Sequence, residues 1–454
     1  MPFFNDFQLK GTHQLTRRLV MKFYIQTLGC KVNAVESDSI SALLIEEGYT
    51  LTDKPEKADV ILLNSCTVTA SGDKRMFHAL KKLRHSAPDA VIVLTGCYVQ
   101  AFPEDASHIP DADIVTGTKN RSQIPLLLQE YFQNPHKISA VGSYISGDAF
   151  EILPQGTDSA HTRAFLKIQD GCNRFCTYCI IPYARGRCRS RPLESIQKQA
   201  QQLRKEGFQE IVLCGINLAC WGQENHMTLA DAVQAVQGAQ FPRVRLGSLE
   251  PDGLTESVLE RLAGILELCP QFHISVQSGC DKTLKAMHRH YTTAEYLTLL
   301  QNLRKYFPDC AITTDIMTGF PDETESDFSQ TLEFVKECRF SQMHIFRYSQ
   351  RAGTPACDYP NQVPESVKKE RADRLKIIAD DMQADFLKNC IGKKYPILFE
   401  RERGNGFHMG HAPNYALVRV PIQEHDEDWR NTIRMVKVTE IRENQLFGIV
   451  EDVS

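Results

Sequence analysis

Between Asp170 and Gly186 the chain reads Asp-Gly-Cys-Asn-Arg-Phe-Cys-Thr-Tyr-Cys-Ile-Ile-Pro-Tyr-Ala-Arg-Gly, which sets Cys172, Cys176 and Cys179 in C-x3-C-x2-C spacing. Three thiolates closing on one short loop can hold three irons of a cubane cluster, and the fourth iron then lacks a protein ligand. An open iron is a place where a small molecule binds. A closed electron carrier wants a fourth cysteine and a structural zinc site wants four ligands, so the missing ligand points toward chemistry. Two other readings stand beside it: Cys188 as the fourth ligand of a plain electron-transfer cluster, or a loop that holds zinc.

A chain of 454 residues suggests roughly three domains of about 150 residues each. Its 52 basic and 56 acidic residues give no global pull toward nucleic acid, so any polyanion must be met by a local patch. No apolar run is long enough to cross a membrane. Fifteen cysteines, at least three of which must stay reduced, imply a cytoplasmic setting. Residues 1–20 lack the apolar core of a secretory signal and read as an extension or a misassigned start.

Residues 21–135 read as a first α/β domain. Lys22 to Leu28, Val60 to Leu63 and Val91 to Leu94 are apolar strands that run into Cys30, Cys66 and Cys97, with helices from Ala34 to Glu47 and from about Asp73 to Arg84. Strand then helix, repeated, predicts a doubly wound parallel sheet. All three cysteines then share the carboxyl edge, where such sheets place their ligands. A second three-thiolate site is the reading this coincidence favours, against independent burial of three small apolar residues. Asn33 and Asn64 flank it as candidate second-layer donors or as turn residues. From Thr116 periodicity weakens, and residues 136–157 read as a linker.

Residues 158–389 alternate strand and helix again. Six strand-helix units, with strands near Phe165, Glu210, Val244, His273, Ala311 and Met343, suit a partial (β/α)6 barrel rather than a full eight-fold one. Candidate binding residues at its strand ends are Gly215, Ser248, Glu250 and Gln277, with Asp315 inside a strand and Tyr178 in the cysteine loop. Arg185, Arg187, Arg189 and Arg191 alternate just past that loop and suit phosphate contact or a solvated, charge-paired surface. Glu365 to Lys388 is a long charged helix that closes the domain.

Residues 390–454 change to short alternating strands at Tyr395 to Glu400, Tyr415 to Val420, Ile433 to Thr439 and Leu446 to Val450. That pattern predicts a small OB-like β-barrel of the kind that binds oligonucleotides, on which Phe407 or Tyr415 could stack on a base. Nine basic against ten acidic residues there give this little electrostatic support.

The string Cys172 to Gly186, with an aromatic before its last cysteine, resembles the radical S-adenosylmethionine superfamily and, within it, the methylthiotransferases. Thr-Leu-Gly-Cys-Lys-Val-Asn, Leu-Asn-Ser-Cys-Thr-Val-Thr and Thr-Gly-Cys-Tyr around Cys30, Cys66 and Cys97 resemble the amino-terminal domain of that family, and Gly-His-Ala-Pro-Asn-Tyr-Ala-Leu-Val resembles its closing RNA-binding (TRAM) module. The resemblance implies two 4Fe-4S clusters, a radical one on Cys172, Cys176 and Cys179 and an auxiliary one on Cys30, Cys66 and Cys97. It implies S-adenosylmethionine contacts at Tyr178, Gly215, Ser248, Glu250, Gln277 and Asp315; the candidate tRNA contacts Arg185, Arg187, Phe407 and Tyr415 rest on their side-chain chemistry. It further implies a tRNA substrate, an external reductant such as flavodoxin or ferredoxin, and a sulfur donor. Ile180-Ile-Pro-Tyr-Ala-Arg-Gly and Gly410-His-Ala-Pro-Asn-Tyr look most like the branch that methylthiolates C2 of N6-threonylcarbamoyladenosine at position 37 of tRNA. Branches acting on isopentenyladenosine-37 or on an aspartate of a ribosomal protein are the alternatives. A non-catalytic iron-sulfur carrier or RNA-binding scaffold is the reading from another class.

Overall fold

The computed structural model describes residues 20–156, 161–404, 406–423 and 427–451. The expectation for the first twenty residues therefore lies almost wholly outside the described residues.

Strands β1 (Lys22–Thr27), β2 (Thr50–Leu51), β3 (Val60–Ser65), β4 (Val91–Gly96), β5 (Ile114–Thr116) and β6 (Ile138–Ala140) form one sheet in the order β2-β1-β3-β4-β5-β6. Every neighbouring pair is parallel. β3 and β4 are buried along their whole length, as unbroken apolar strands covered on both faces must be. Val60 and Leu62 pack with Ile40 and Leu44 of helix α1 (Lys31–Glu46), while Ile61 and Leu63 pack with Met76, Leu80 and Leu83 of helix α2 (Ala70–Ser86). The strand order reverses between β1 and β3, which is where a doubly wound sheet opens a crevice at its carboxyl edge.

The stretch read as a linker from residue 136 begins inside this sheet, because β6 pairs with β5 at Ile138 to Ala140. Both strands are three residues long, too short to show a period.

In the second domain β7 (Ala164–Lys167) leads to the cysteine loop, whose base is clasped by the antiparallel pair β8 (Gln169–Asp170) and β9 (Arg189–Ser190). The remaining strands are β10 (Glu210–Cys214), β11 (Arg243–Leu246), β12 (Ser248–Leu249), β13 (Gln271–Ile274), β14 (Ala311–Thr318) and β15 (Gln342–Arg347). They pair in parallel as β11-β10-β7 and β12-β13-β14-β15. With only Gly247 between β11 and β12, the two sheets are six staves of one open barrel. The helix Glu365–Lys388 closes it, with Leu375 and Ala379 in the core.

The last domain is a closed barrel, β16 (Lys394–Gly404), β17 (Phe407–His411), β18 (Leu417–Pro421), β20 (Gln445–Val450) and β19 (Ile433–Arg442) in spatial order. It has five strands where the alternation gave four. It is docked on the amino-terminal end of the core strands: Arg243 donates to His411 O and Ala412 O at 2.9 and 3.0 Å, and Arg245 to Pro413 O at 3.1 Å. Glu210 at the start of β10 holds both guanidinium groups at 2.8 Å. Among the described residues no helix is long and apolar enough to cross a membrane.

Candidate functional site

Cys30 is the N-cap residue of α1, Cys66 follows β3 directly, and Cys97 opens a short helix, α3 (Cys97–Ala101), directly after β4. The three thiols thus stand on three adjacent strand ends, at the reversal point. Glycine makes the approach possible. Gly29 has φ +115°, and a Cβ there would lie 2.7 Å from Cys66 Cβ; Gly96 has φ +103°, and its Cβ would lie 2.4 Å from Ser65 O. No other residue reaches that backbone without strain and clash.

Asn33 ties the three strand ends together. Its Nδ2 donates to Leu28 O and Ser65 O, each at 2.9 Å, while its Oδ1 lies 3.7 Å from Cys30 Sγ and 3.9 Å from Cys97 Sγ. Asn64 Nδ2 donates to Asn33 O and to Ser37 Oγ at 3.0 Å. Both asparagines therefore brace the site, as second-layer donors do.

The second thiol set is built by the loop after β8. Gly171 at φ +73° lets the loop pass Arg187 O, which a Cβ would meet at 2.0 Å. Arg174 N donates to Cys172 Sγ at 3.4 Å, Asn217 Nδ2 to the same sulfur at 3.8 Å, and Arg289 Nη1 to Cys176 Sγ at 3.4 Å. Thr177 is pinned to Ala286 O and Met287 O at 2.9 and 3.1 Å. Cys188 stands beside Cys172 with its thiol 3.7 Å from Gly171 O and facing Cys220.

Burial pushes the Cys97 thiol up to about 11 and Cys172 to about 12, and raises Cys66 and Cys179. Such thiols are inert as they stand, and a bound cation is what would ionise them. Among the described residues no three His, Cys, Asp or Glu side chains converge as ligands of a single ion. A cubane takes each thiolate on a different iron, so two spaced sets of three soft ligands with N–H donors to sulfur fit that group better than they fit zinc.

Arg185 lies between the two sets. It donates to Glu36 Oε1 and Oε2 at 2.6 and 2.9 Å, to Asn33 Oδ1 at 2.8 Å and to Asp170 Oδ1 at 3.2 Å. Lys167 adds bonds to Glu36 at 2.6 Å and Asp170 at 2.5 Å, and Arg121 one to Glu36 at 2.9 Å. Burial alone would raise the Glu36 carboxyl, but Arg121, Arg185 and Lys167 hold it at about 2. Asp170 is likewise far below the usual carboxylate range against the pull of burial, through Lys167 and Arg185.

The sequence matches the radical SAM superfamily over residues 166–335 and the uncharacterized protein family UPF0004 over residues 22–117. Over 439 residues it is 37% identical to threonylcarbamoyladenosine tRNA methylthiotransferase MtaB of Bacillus subtilis (strain 168), covering 94% of this chain and 96% of that protein. This chain belongs to the radical SAM tRNA methylthiotransferases. A tRNA-2-methylthio-N(6)-dimethylallyladenosine synthase of Clostridium botulinum (strain Hall) is also 37% identical, over 84% of this chain and 86% of that protein. The fold is shared with the radical S-adenosylmethionine methyltransferase TsrM of Kitasatospora setae, at TM-score 0.56 and 12% identity over 85% of this chain and 79% of that one. The methylthiotransferase is thus a transferase of a family that uses S-adenosylmethionine and 4Fe-4S clusters.

The strand-end candidates divide. Glu250 is bound by Arg289 through both of its oxygens, and burial raises its pKa even so. The same arginine donates to Ser275 O at 3.0 Å and to Tyr291 OH at 2.9 Å, so Glu250 acts beside Cys176 through it. Tyr178 is half-buried in the loop, edge-on to Phe320. Gly215 backs onto Gln169, whose Oε1 a Cβ would meet at 2.8 Å. Gln277 is held at φ +72° by paired backbone bonds to Asp315 O and from Met317 N. Ser248, exposed, is in register with His273. Asp315 accepts from Ser275 Oγ at 2.7 Å and from His273 Nε2 at 3.1 Å; burial would raise its carboxyl, and these bonds bring it below its ordinary value. His344 lies beside this group, in register with Asp315 on the next strand and with its ring 5.6 Å from that of His273.

The arginine run is corrected by the structure. Arg185 is fully buried among carboxylates, so it cannot meet a phosphate, and Arg189 and Arg191 are buried as well. Arg187 alone is exposed, 5.3 Å over the Phe175 ring at a cavity of about 340 Å³ that Tyr144 and Tyr183 also line. Tyr415 is 38% exposed. Its ring stacks on His411 at 4.4 Å with the Arg245 guanidinium 4.6 Å from its centroid, which makes it part of the docking joint. Phe407 is half-buried on the outer face of the last barrel, edge-on to Phe447 at 5.3 Å. A groove of about 1180 Å³ between helices Thr293–Tyr306 and Glu325–Cys338 touches none of these residues.

Sequence reasoning missed Arg289, Asn217, Glu36 and Asp170. None lies in a cysteine spacing. The repeated Gly-Cys at residues 29–30, 96–97 and 171–172 was the one signal available for the glycines.

Proposed function

We propose that the enzyme replaces the C2 hydrogen of N6-threonylcarbamoyladenosine-37 in tRNA by a methylthio group. When bound, the cluster on Cys172, Cys176 and Cys179 would supply the electron that cleaves one S-adenosylmethionine to methionine and a 5'-deoxyadenosyl radical, which takes the C2 hydrogen as 5'-deoxyadenosine; the cluster on Cys30, Cys66 and Cys97 would supply the sulfur, and a second S-adenosylmethionine its methyl group. The observation that carries this reading is the Arg185 clamp. Radical formation and sulfur transfer on one base require two sites at a fixed separation, and Arg185 joins Asn33 and Glu36 of one domain to Asp170 of the other by buried, charge-assisted bonds.

The rest of the assignment follows the residues. Arg289 and Asn217 orient the radical loop by donating to its sulfurs, and Asn33 fixes the strand ends by donating to Leu28 O and Ser65 O. The lumen between them carries Ser248, His273, Ser275 and Asp315, polar groups that can hold a methionyl or nucleoside moiety. The threonylcarbamoyl choice is supported by the Bacillus subtilis relative, 37% identical over 94% of this chain. The setting is the cytoplasm, which keeps fifteen free thiols reduced, with an external flavodoxin- or ferredoxin-like reductant and a separate sulfur donor.

Mass spectrometry of tRNA nucleosides from a deletion strain tests the substrate. Methylthiolated threonylcarbamoyladenosine is expected to vanish and to return with the intact gene but not with Cys66→Ala. Its persistence in the deletion overturns the reading. Loss of the methylthiolated isopentenyl nucleoside instead assigns the other branch.

A further inference from the structure

Helix α2 reads ASGDKRMFHALKKLRHS, and its single carboxylate, Asp73, is already engaged. Asp73 accepts from Arg351 Nη1 at 2.6 Å and from Thr67 Oγ1 at 2.8 Å. Met76, Leu80 and Leu83 face the sheet. At about 100° per residue, Lys74, Arg75, His78, Lys81, Lys82 and His85 fall within an arc of about 120° on the opposite side. All six are exposed. Phe77, 36% exposed, edges the stripe.

Exposed helices usually answer their own charges. On the helix Glu365–Lys388, Lys369 pairs with Asp373, Lys376 with Asp380, Arg374 with Glu370 and Lys388 with Asp385. On α2 no cation of the stripe has a carboxylate three or four residues away, and among the described residues Lys74, Arg75, Lys81 and Lys82 make no ion pair. An uncompensated basic stripe is a surface for a polyanion, and the last barrel, with nine basic and ten acidic residues, offers no comparable field.

The placement fits the chemistry. α2 begins four residues past Cys66, and its first turn is fastened to the loop after β15 by Ala70 N to Ser349 Oγ at 3.4 Å and by the Arg351–Asp73 pair. From Lys74 to His85 the stripe extends about 16 Å away from the Cys66 end. We propose that this face of α2 binds the phosphate backbone of the RNA whose base enters the lumen. The inference rests on tRNA being the substrate.

The test is salt-dependent binding of full-length tRNA to the reconstituted enzyme carrying Lys74→Gln, Arg75→Gln, Lys81→Gln and Lys82→Gln. Affinity at 0.1 M salt should fall at least about tenfold, and the slope of log K against log salt should flatten by about 3. Lys81→Gln with Lys82→Gln alone, far from Cys66, should flatten it by about half as much, and Lys→Arg at positions 74, 81 and 82 should leave it unchanged. Release of 5'-deoxyadenosine without RNA should match wild type in every variant. A slope and affinity equal to wild type in both Gln variants overturn the proposal while leaving the tRNA reading intact. Failure of wild type itself to bind tRNA overturns both.

Discussion

The Arg185 guanidinium clasps the Glu36 carboxylate at 2.6 and 2.9 Å across the boundary between the two thiol-bearing domains. Each residue lies on the element that follows a cysteine, α1 after Cys30 and the helix Ile181–Arg185 after Cys179. The pair thereby turns two folded domains into one reaction frame.

Removing one partner of a buried ion pair leaves the other charge uncompensated, at a cost of about 3–5 kcal/mol. Arg185→Met should lower stability in denaturant unfolding toward the low end of that range, because Lys167 and Arg121 still face Glu36 and Lys167 still faces Asp170. Arg187→Met, at an exposed position, should change it by less than about 0.5 kcal/mol. Equal effects of the two would contradict the clamp.

Acid should dissolve the same joints. Glu36 and Glu210 both titrate at about 2, below the ordinary glutamate value of 4.5, so their contribution is complete above pH 4.5 and is lost as pH falls toward 2. Each is worth roughly 3 kcal/mol at neutral pH on that shift. Unfolding free energy measured across this window should drop steeply for wild type and less for Glu210→Gln, which is already destabilised at pH 7. Parallel profiles would show that Glu210 does not hold the last barrel through its charge.

The glycines predict a selective loss. Gly29→Ala places a Cβ 2.7 Å from Cys66 Cβ at φ +115°, and Gly171→Ala places one 2.0 Å from Arg187 O at φ +73°. Gly29→Ala should retain the radical-site EPR signal and its change on adding S-adenosylmethionine, with iron falling by about half. Gly171→Ala should do the reverse. Loss of all iron in either variant would contradict two separable sites.

Arg289 donates to Cys176 Sγ at 3.4 Å, and hydrogen bonds and positive charge at cluster sulfurs stabilise the reduced form. Arg289→Gln should shift the midpoint potential of the radical-site cluster to more negative values in an EPR-monitored titration. A potential that stays in place or rises would remove Arg289 from that role.

How far the sequence reaches is visible in these residues. β3 and β4 are unbroken apolar runs ending in Cys66 and Cys97, so their placement could be read directly, as could the six core staves and the helix Glu365–Lys388. β5 and β6 are three residues each, and β17, Phe-His-Met-Gly-His, alternates without looking apolar, so none announced itself. Arg185 read as a phosphate ligand because its partners Asn33 and Glu36 lie about 150 positions away, and only the packed interface reveals them. The contact of Tyr415 with Arg245 was hidden for the same reason: Arg245 is distant in sequence and adjacent in space.

The most direct measurement is iron and acid-labile sulfide per chain after anaerobic reconstitution, for wild type and for Cys172→Ala, Cys176→Ala, Cys179→Ala. About eight irons falling to about four is the predicted result, since Cys30, Cys66 and Cys97 then hold a cluster of their own. About four falling to none would reduce those three cysteines to packing residues and leave the methylthio group without its sulfur site.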